Sequence, residues 1–157
     1  MNNKNTLLEL CHAKRLDNGE WVEGNLIRSG DAEDGQEAII IPAMNRNMFI
    51  GQEYAYLGFN YWYRVDPSSV CHCTGHKDKN DKLIWEHDIV RCVYGGKERI
   101  YTVVWDDSEL DFKATNGKEN YSNNFEYLTC CDEIEIIGNV FDTPEFIKHF
   151  EEEIYYG

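Results

Sequence analysis

Short runs of strand-forming residues, cut at close intervals by turn formers, restrict this chain to a β-rich architecture. Asp17-Asn18-Gly19 is a turn, because Asn and Gly accept positive φ at little cost, and residues 21–27 (Trp21 to Ile27) follow it as a strand. Residues 28–37 form a polar loop, and residues 38–41 form an apolar run that stops at Pro42. Residues 48–50 and 54–57 read as short strands separated by glycine, and residues 61–65 read as a β-rich segment ending at Asp66-Pro67. Residues 70–73 are a brief strand. Residues 75–82 contain no apolar side chain and are expected to be an exposed loop. Strands are expected at 88–94 and 99–105 around Gly95-Gly96, at 110–114 before Asn116-Gly117, and at 133–140.

One helix is expected, at the C-terminus. Asp142 or Thr143 can cap it and Pro144 suits its first turn. Phe146, Ile147, Phe150 and Ile154 would form one apolar stripe. The fold class that follows is mainly β (β-rich α+β), with short antiparallel strands and one terminal helix. The expected organisation is an N-terminal β subdomain over residues 1–65 and a small barrel-like part with the signature loop and C-terminal helix over 66–157.

Charge and cysteine content narrow the function classes. Against 15 basic residues stand 29 acids, a net of −14. Direct binding of nucleic acid is therefore not expected, because backbone affinity comes from cations that release counterions. Nine acids face one base over residues 126–157, so a basic protein is the natural charge partner. The N-terminus is polar and no apolar run has membrane-spanning length, so neither a signal peptide nor a membrane segment is expected. A cytoplasmic location follows as an expectation, and with it six reduced thiols: Cys11, Cys71, Cys73, Cys92, Cys130 and Cys131.

Ala13-Lys14-Arg15-Leu16-Asp17-Asn18-Gly19-Glu20-Trp21-Val22-Glu23-Gly24 is a basic pair, a turn and a Trp-Val strand leading to Gly. Asp66-Pro67-Ser68-Ser69-Val70, Thr74-Gly75-His76-Lys77-Asp78-Lys79-Asn80-Asp81-Lys82 and Trp85-Glu86-His87-Asp88-Ile89-Val90 follow as a turn, a polar loop and a strand entry. Ile136-Ile137-Gly138-Asn139-Val140-Phe141-Asp142-Thr143-Pro144-Glu145 is a strand, a Gly-Asn turn and a Pro. In that order the three resemble the opening, the signature and the close of the YopX family of phage and prophage proteins, and Val103-Val104-Trp105 fits its middle strand. The departures are local. Cys71, His72 and Cys73 stand where the family usually has Gly, a polar residue and an aromatic. His76 replaces Leu, and Asp81 and His87 replace Gly. The resemblance implies a β-rich fold of two parts, an origin in a mobile element of a bacterial cell, and no catalytic residues to carry over.

Candidate sites follow from residue chemistry. Cys71, Cys73 and His76 are zinc-type ligands at close spacing, but Cys-x-Cys in a strand puts both thiols on one face and His72 on the other, so core packing is favoured. Glu86 and Asp88 are more simply read as acceptors for backbone amides than as acid–base groups. A polar loop on a rigid β scaffold is where binding concentrates. Lys14, Arg15, Thr74, Gly75, Lys77, Asp78, Asn80, Glu86 and Asp88 are therefore the binding candidates. Phe49, Tyr54, Tyr56, Phe59, Tyr61, Trp62 and Tyr63 are too aromatic for an ordinary loop region and point to self-association as a homo-oligomer. The leading expectation is a non-enzymatic accessory protein, without cofactor, that binds protein. A metal-binding module or metal-dependent enzyme at Cys71–His76 is a second reading, and an acidic nucleic-acid mimic a third.

Overall fold

The computed structural model describes residues 10–30, 37–44, 46–51, 56–119 and 122–146. The chain is mainly β and divides into two compact units, Met1–Cys73 and Thr74–Gly157. Among the described residues no helix is long and apolar enough to cross a membrane.

In the first unit, β1 (Leu10–Lys14), β2 (Trp21–Ser29) and β3 (Glu37–Ile41) form an antiparallel meander. β4 (Met48–Ile50) and β5 (Leu57–Phe59) form a separate ribbon, and β6 (Tyr63–Val65) returns to pair with β3. The Cys71-His72 end of β7 (Cys71–Lys77) adds to the other side of β1. Alternation drives the packing. Cys11, Ala13, Ala38, Ile40, Val65 and Val70 point inward as one core, while His12 and Lys14 on the same strand stay half-exposed. Gly24 is required by close approach, since a Cβ there would run into the backbone of Ile41 and Pro42. Asp66 caps the 3-10 turn Pro67–Ser69 by accepting the Ser68 N–H at 2.9 Å. The Ser69 hydroxyl accepts the Lys14 N–H at 2.8 Å, so residues 66–70 are fastened to β1 within this unit.

In the second unit the Thr74–Lys77 part of β7 lies beside β8 (Leu83–Trp85). A curled five-stranded sheet is built from β9 (Asp88–Tyr94), β10 (Lys97–Asp106), β11 (Asp111–Thr115), β12 (Phe125–Tyr127) and β13 (Glu133–Asn139), in the order β12-β11-β10-β9-β13. A bulge between Ile136 and Gly138 bends β13 against β9. Ile84, Val90, Cys92, Tyr101, Val103, Phe112, Ala114, Leu128 and Ile134 form its core.

Three expectations are corrected. Cys92 and Cys131 are joined in a disulfide rather than standing as reduced thiols, their Cα atoms 6.0 Å apart. The interval 75–82 is not all exposed loop: β7 runs on to Lys77, and Asp78 is only 7% exposed because its carboxylate is used inside the unit. The C-terminal helix is not found among the described residues, where no helix reaches seven residues. Asn139 instead accepts the N–H groups of Phe141 and Asp142, and Thr143 donates its N–H to the Asn139 carbonyl, so the chain turns where a helix was expected to begin. Helical backbone appears at Glu145 and Phe146, and the stripe residues Ile147, Phe150 and Ile154 lie outside the described residues.

Candidate functional site

The signature segment of the second unit is organised by two buried carboxylates. Asp78 Oδ1 accepts the N–H of Asn80 at 2.9 Å and of Lys82 at 3.0 Å, and Oδ2 accepts the Ile136 N–H of β13 at 3.1 Å. Burial opposes its ionisation, yet these three donors hold it below the ordinary carboxylate range. Asp88 is 5% exposed and accepts the Trp85 N–H at 2.8 Å across the β8–β9 turn. Burial pushes its carboxyl up to about 7; the Trp85 donor opposes the shift and the negative charge of Asp78 adds to it.

The neighbouring candidates serve the same scaffold. Thr74 is buried; its hydroxyl donates to the Ile84 carbonyl at 2.7 Å and accepts the His76 N–H at 3.1 Å. Gly75 sits at φ 76°, in the left-handed region. Lys77 pairs with Asp81 at 3.3 Å on the surface, Asn80 is exposed, and Glu86 lies 4.0 Å from His87. At both positions where the family carries Gly, the left-handed turn persists with a side chain attached: φ is 64° at Asp81 and 70° at His87. His87 is held there by its N–H bond to Val103 and by the Val140 N–H on its carbonyl, while its ring meets Phe141 edge-on.

Lys14 and Arg15 belong to the first unit. The Lys14 ammonium lies 5.3 Å from the Trp21 ring centroid, and that ring also meets His12 at 4.4 Å. The Arg15 guanidinium lies 4.1 Å over Tyr63 and is bonded to Asp17, which raises its pKa and lowers that of Asp17. In the second unit, Arg91 bonds Glu98, Glu133 and Glu135, and Lys79 bonds Glu133 and Glu135, tying β9, β10 and β13 together across one face.

The cysteine–histidine cluster has the geometry of packing. Cys71 and Cys73 are each 1% exposed, and the Cys71 thiol donates to the Ser69 carbonyl at 3.3 Å. His72, between them, is exposed on the other face. Among the described residues no group of three or more His, Cys, Asp or Glu side chains is placed to share a metal ion. Cys130, the last residue of the 3-10 turn Leu128–Cys130, is exposed, and Cys131 is half-buried in its disulfide.

An exposed apolar surface lies on the β4–β5 ribbon of the first unit. Met48, Ile50 and Leu57 are 61%, 68% and 58% exposed. In the register Met48↔Phe59 and Ile50↔Leu57, these four residues share one face. On the other face Phe49 covers Gly58, where a Cβ would collide with its ring, and Tyr56 covers Gly51. Asn47 holds the base: its amide donates to the carbonyls of Pro42 and Tyr61, both at 3.0 Å, and its oxygen accepts the Tyr61 N–H at 2.6 Å. Of the aromatic cluster, Phe49, Tyr56, Tyr61 and Trp62 are exposed, and Tyr54 lies outside the described residues. The aliphatic members, Met48, Ile50 and Leu57, escape a search for aromatics. The signal that marks them is charge: residues 43–64 carry Glu53 against Arg46 and Arg64, in a chain otherwise crowded with acids.

Comparison with known proteins fits this architecture. The crystal structure of protein EF1440 from Enterococcus faecalis is similar over 87% of this chain and 96% of that one, with a TM-score of 0.55 and 20% identity, a likeness of fold alone. No functionally curated protein matches the chain. A family model described as YopX protein matches residues 13–148, and on that match, which spans most of its length, the chain belongs to the YopX family.

Proposed function

We propose that this chain is a non-enzymatic protein-binding module, a phage- or prophage-type accessory protein of a bacterial cell, and that the β4–β5 ribbon is its contact surface. The observation that carries the reading is the exposure of Met48, Ile50 and Leu57 side by side on a two-stranded ribbon. Contiguous exposed apolar surface marks interaction sites, and a two-stranded hairpin has little stability of its own. The polar candidates of the signature argue the same way by elimination. Asp78 and Thr74 spend their hydrogen-bonding capacity on backbone partners, which leaves them little to offer a ligand.

The test is retention of proteins from bacterial lysate on tagged wild-type chain and on the Ile50→Lys variant, with retained species identified by mass spectrometry. A protein held by the wild type and lost by the variant supports the reading. Identical retention by both removes the ribbon from the contact surface.

A further inference from the structure

We infer that the surface first covering the β4–β5 ribbon is a second copy of this chain, joined through antiparallel pairing of the two β4 edges about a two-fold axis. The inference rests on the proposal that the ribbon is a contact surface, and names its partner.

Two observations converge on a second copy. The first is backbone: among the described residues β4 pairs with β5 alone, so its outer edge presents unpaired N–H and C=O groups. Met48-Phe49-Ile50 carries no Lys, Pro or inward charge, the devices by which edge strands are normally guarded. An edge strand meeting an identical strand antiparallel closes a symmetric pair, in which each residue contacts its counterpart's surroundings in the same way. The product is a four-stranded sheet, β5-β4-β4-β5, with Met48 and Ile50 of both copies on one face and Phe49 on the other.

The second is charge. Residues 43–64 have a net charge of +1, which leaves −15 for the rest of a chain whose total is −14. A basic partner would find its complementary charge almost anywhere but here. Two copies of so acidic a chain repel each other almost everywhere but here. A nearly neutral apolar segment is complementary to itself.

The experiment is sedimentation equilibrium of the full chain over a range of concentrations at about 0.05 M and about 0.5 M salt. The expected result is a monomer–dimer equilibrium that tightens with salt, because screening relieves repulsion between the acidic bodies while the contact itself is neutral. Ile50→Lys enters the interface twice and should weaken the dimer on the order of 100-fold. Ile27→Lys, at another exposed apolar position on β2, should leave it unchanged. In the unmodified chain, hydrogen-exchange protection of the residue 48–50 amides should rise with protein concentration.

A monomer at every concentration and salt overturns the inference. So does a dimer that loosens with salt, one weakened equally by both variants, or exchange at residues 48–50 that ignores concentration. The two readings fail separately. A monomeric chain that retains a lysate protein, which Ile50→Lys then loses, keeps the ribbon as a protein-binding surface and removes the second copy.

Discussion

Replacing Asp88 by Asn should stabilise the protein at neutral pH by an amount that grows as pH rises. Asp88 is 5% exposed, its carboxyl is pushed up to about 7 by burial, and the charge of Asp78 adds to the shift. In the unfolded chain the same group titrates near ~3.9. Between those values the folded state holds a proton that the unfolded state has lost. The stability contributed by the protonated carboxyl is therefore complete below about 4 and is lost as pH climbs through about 7. Three tenfold steps at ~1.4 kcal/mol each set the cost of the buried carboxylate above pH 7 at about 4 kcal/mol. Asn keeps an oxygen to accept the Trp85 N–H at 2.8 Å and removes the charge. The assay is urea unfolding followed by tryptophan fluorescence at several pH values between 5 and 8, with ionic strength fixed and the disulfide oxidised. Taking the difference between variant and wild type cancels the other carboxylates, including Asp78, whose stabilisation is lost in the opposite direction as pH falls. The difference should be about 1.5 kcal/mol near pH 5, which already lies above the unfolded-chain value, and about 4 kcal/mol at pH 8. Parallel stability curves, or a variant less stable than wild type at pH 8, would refute the argument that Asp88 is a buried carboxyl held against its ionisation.

Two further outcomes are expected. His87→Gly relieves a side chain held at φ 70°, a conformation costing ~1–2 kcal/mol for a residue with a Cβ, and gives up an edge contact with Phe141 of ~0.5 kcal/mol, so a net gain of about 1 kcal/mol should appear as a higher melting temperature, with no gain for His87→Ala. Breaking the Cys92–Cys131 disulfide, which closes a 39-residue separation, should cost about 3–4 kcal/mol, read from denaturant midpoints of Cys131→Ser against wild type, and thiol titration of the denatured oxidised chain should count four free cysteines.

The sequence by itself determined the β class, the turns and most of the longer strands. Asp17-Asn18-Gly19, Gly95-Gly96 and Asn116-Gly117 mark reversals in the chain itself, because positive φ is a local steric matter; the glycines there sit at φ 70°, 55°, 75° and 82°. The strand expected over 88–94 is found as β9, residue for residue, because Ile89, Val90, Val93 and Tyr94 are strand formers closed off by Gly95-Gly96. Order and spacing of the signature segments also carried the family, without any knowledge of what they touch. Tertiary structure decided the rest. β1 has no β-branched residue, and β5 is centred on Gly58; their partners make them strands. Asp78 looks like a loop residue among Lys77, Lys79 and Asn80, and its burial follows from the Ile136 amide, 58 residues away along the chain. Cys131 is paired with Cys92 rather than any other thiol because β13 brings it beside β9. Exposure of Met48, Ile50 and Leu57 is marked in the sequence only by the near-neutral charge of residues 43–64, since apolar side chains read as core until the fold leaves them uncovered. Backbone preference is written in neighbouring residues, whereas burial, pairing and the pKa of a carboxyl depend on groups that only folding brings together.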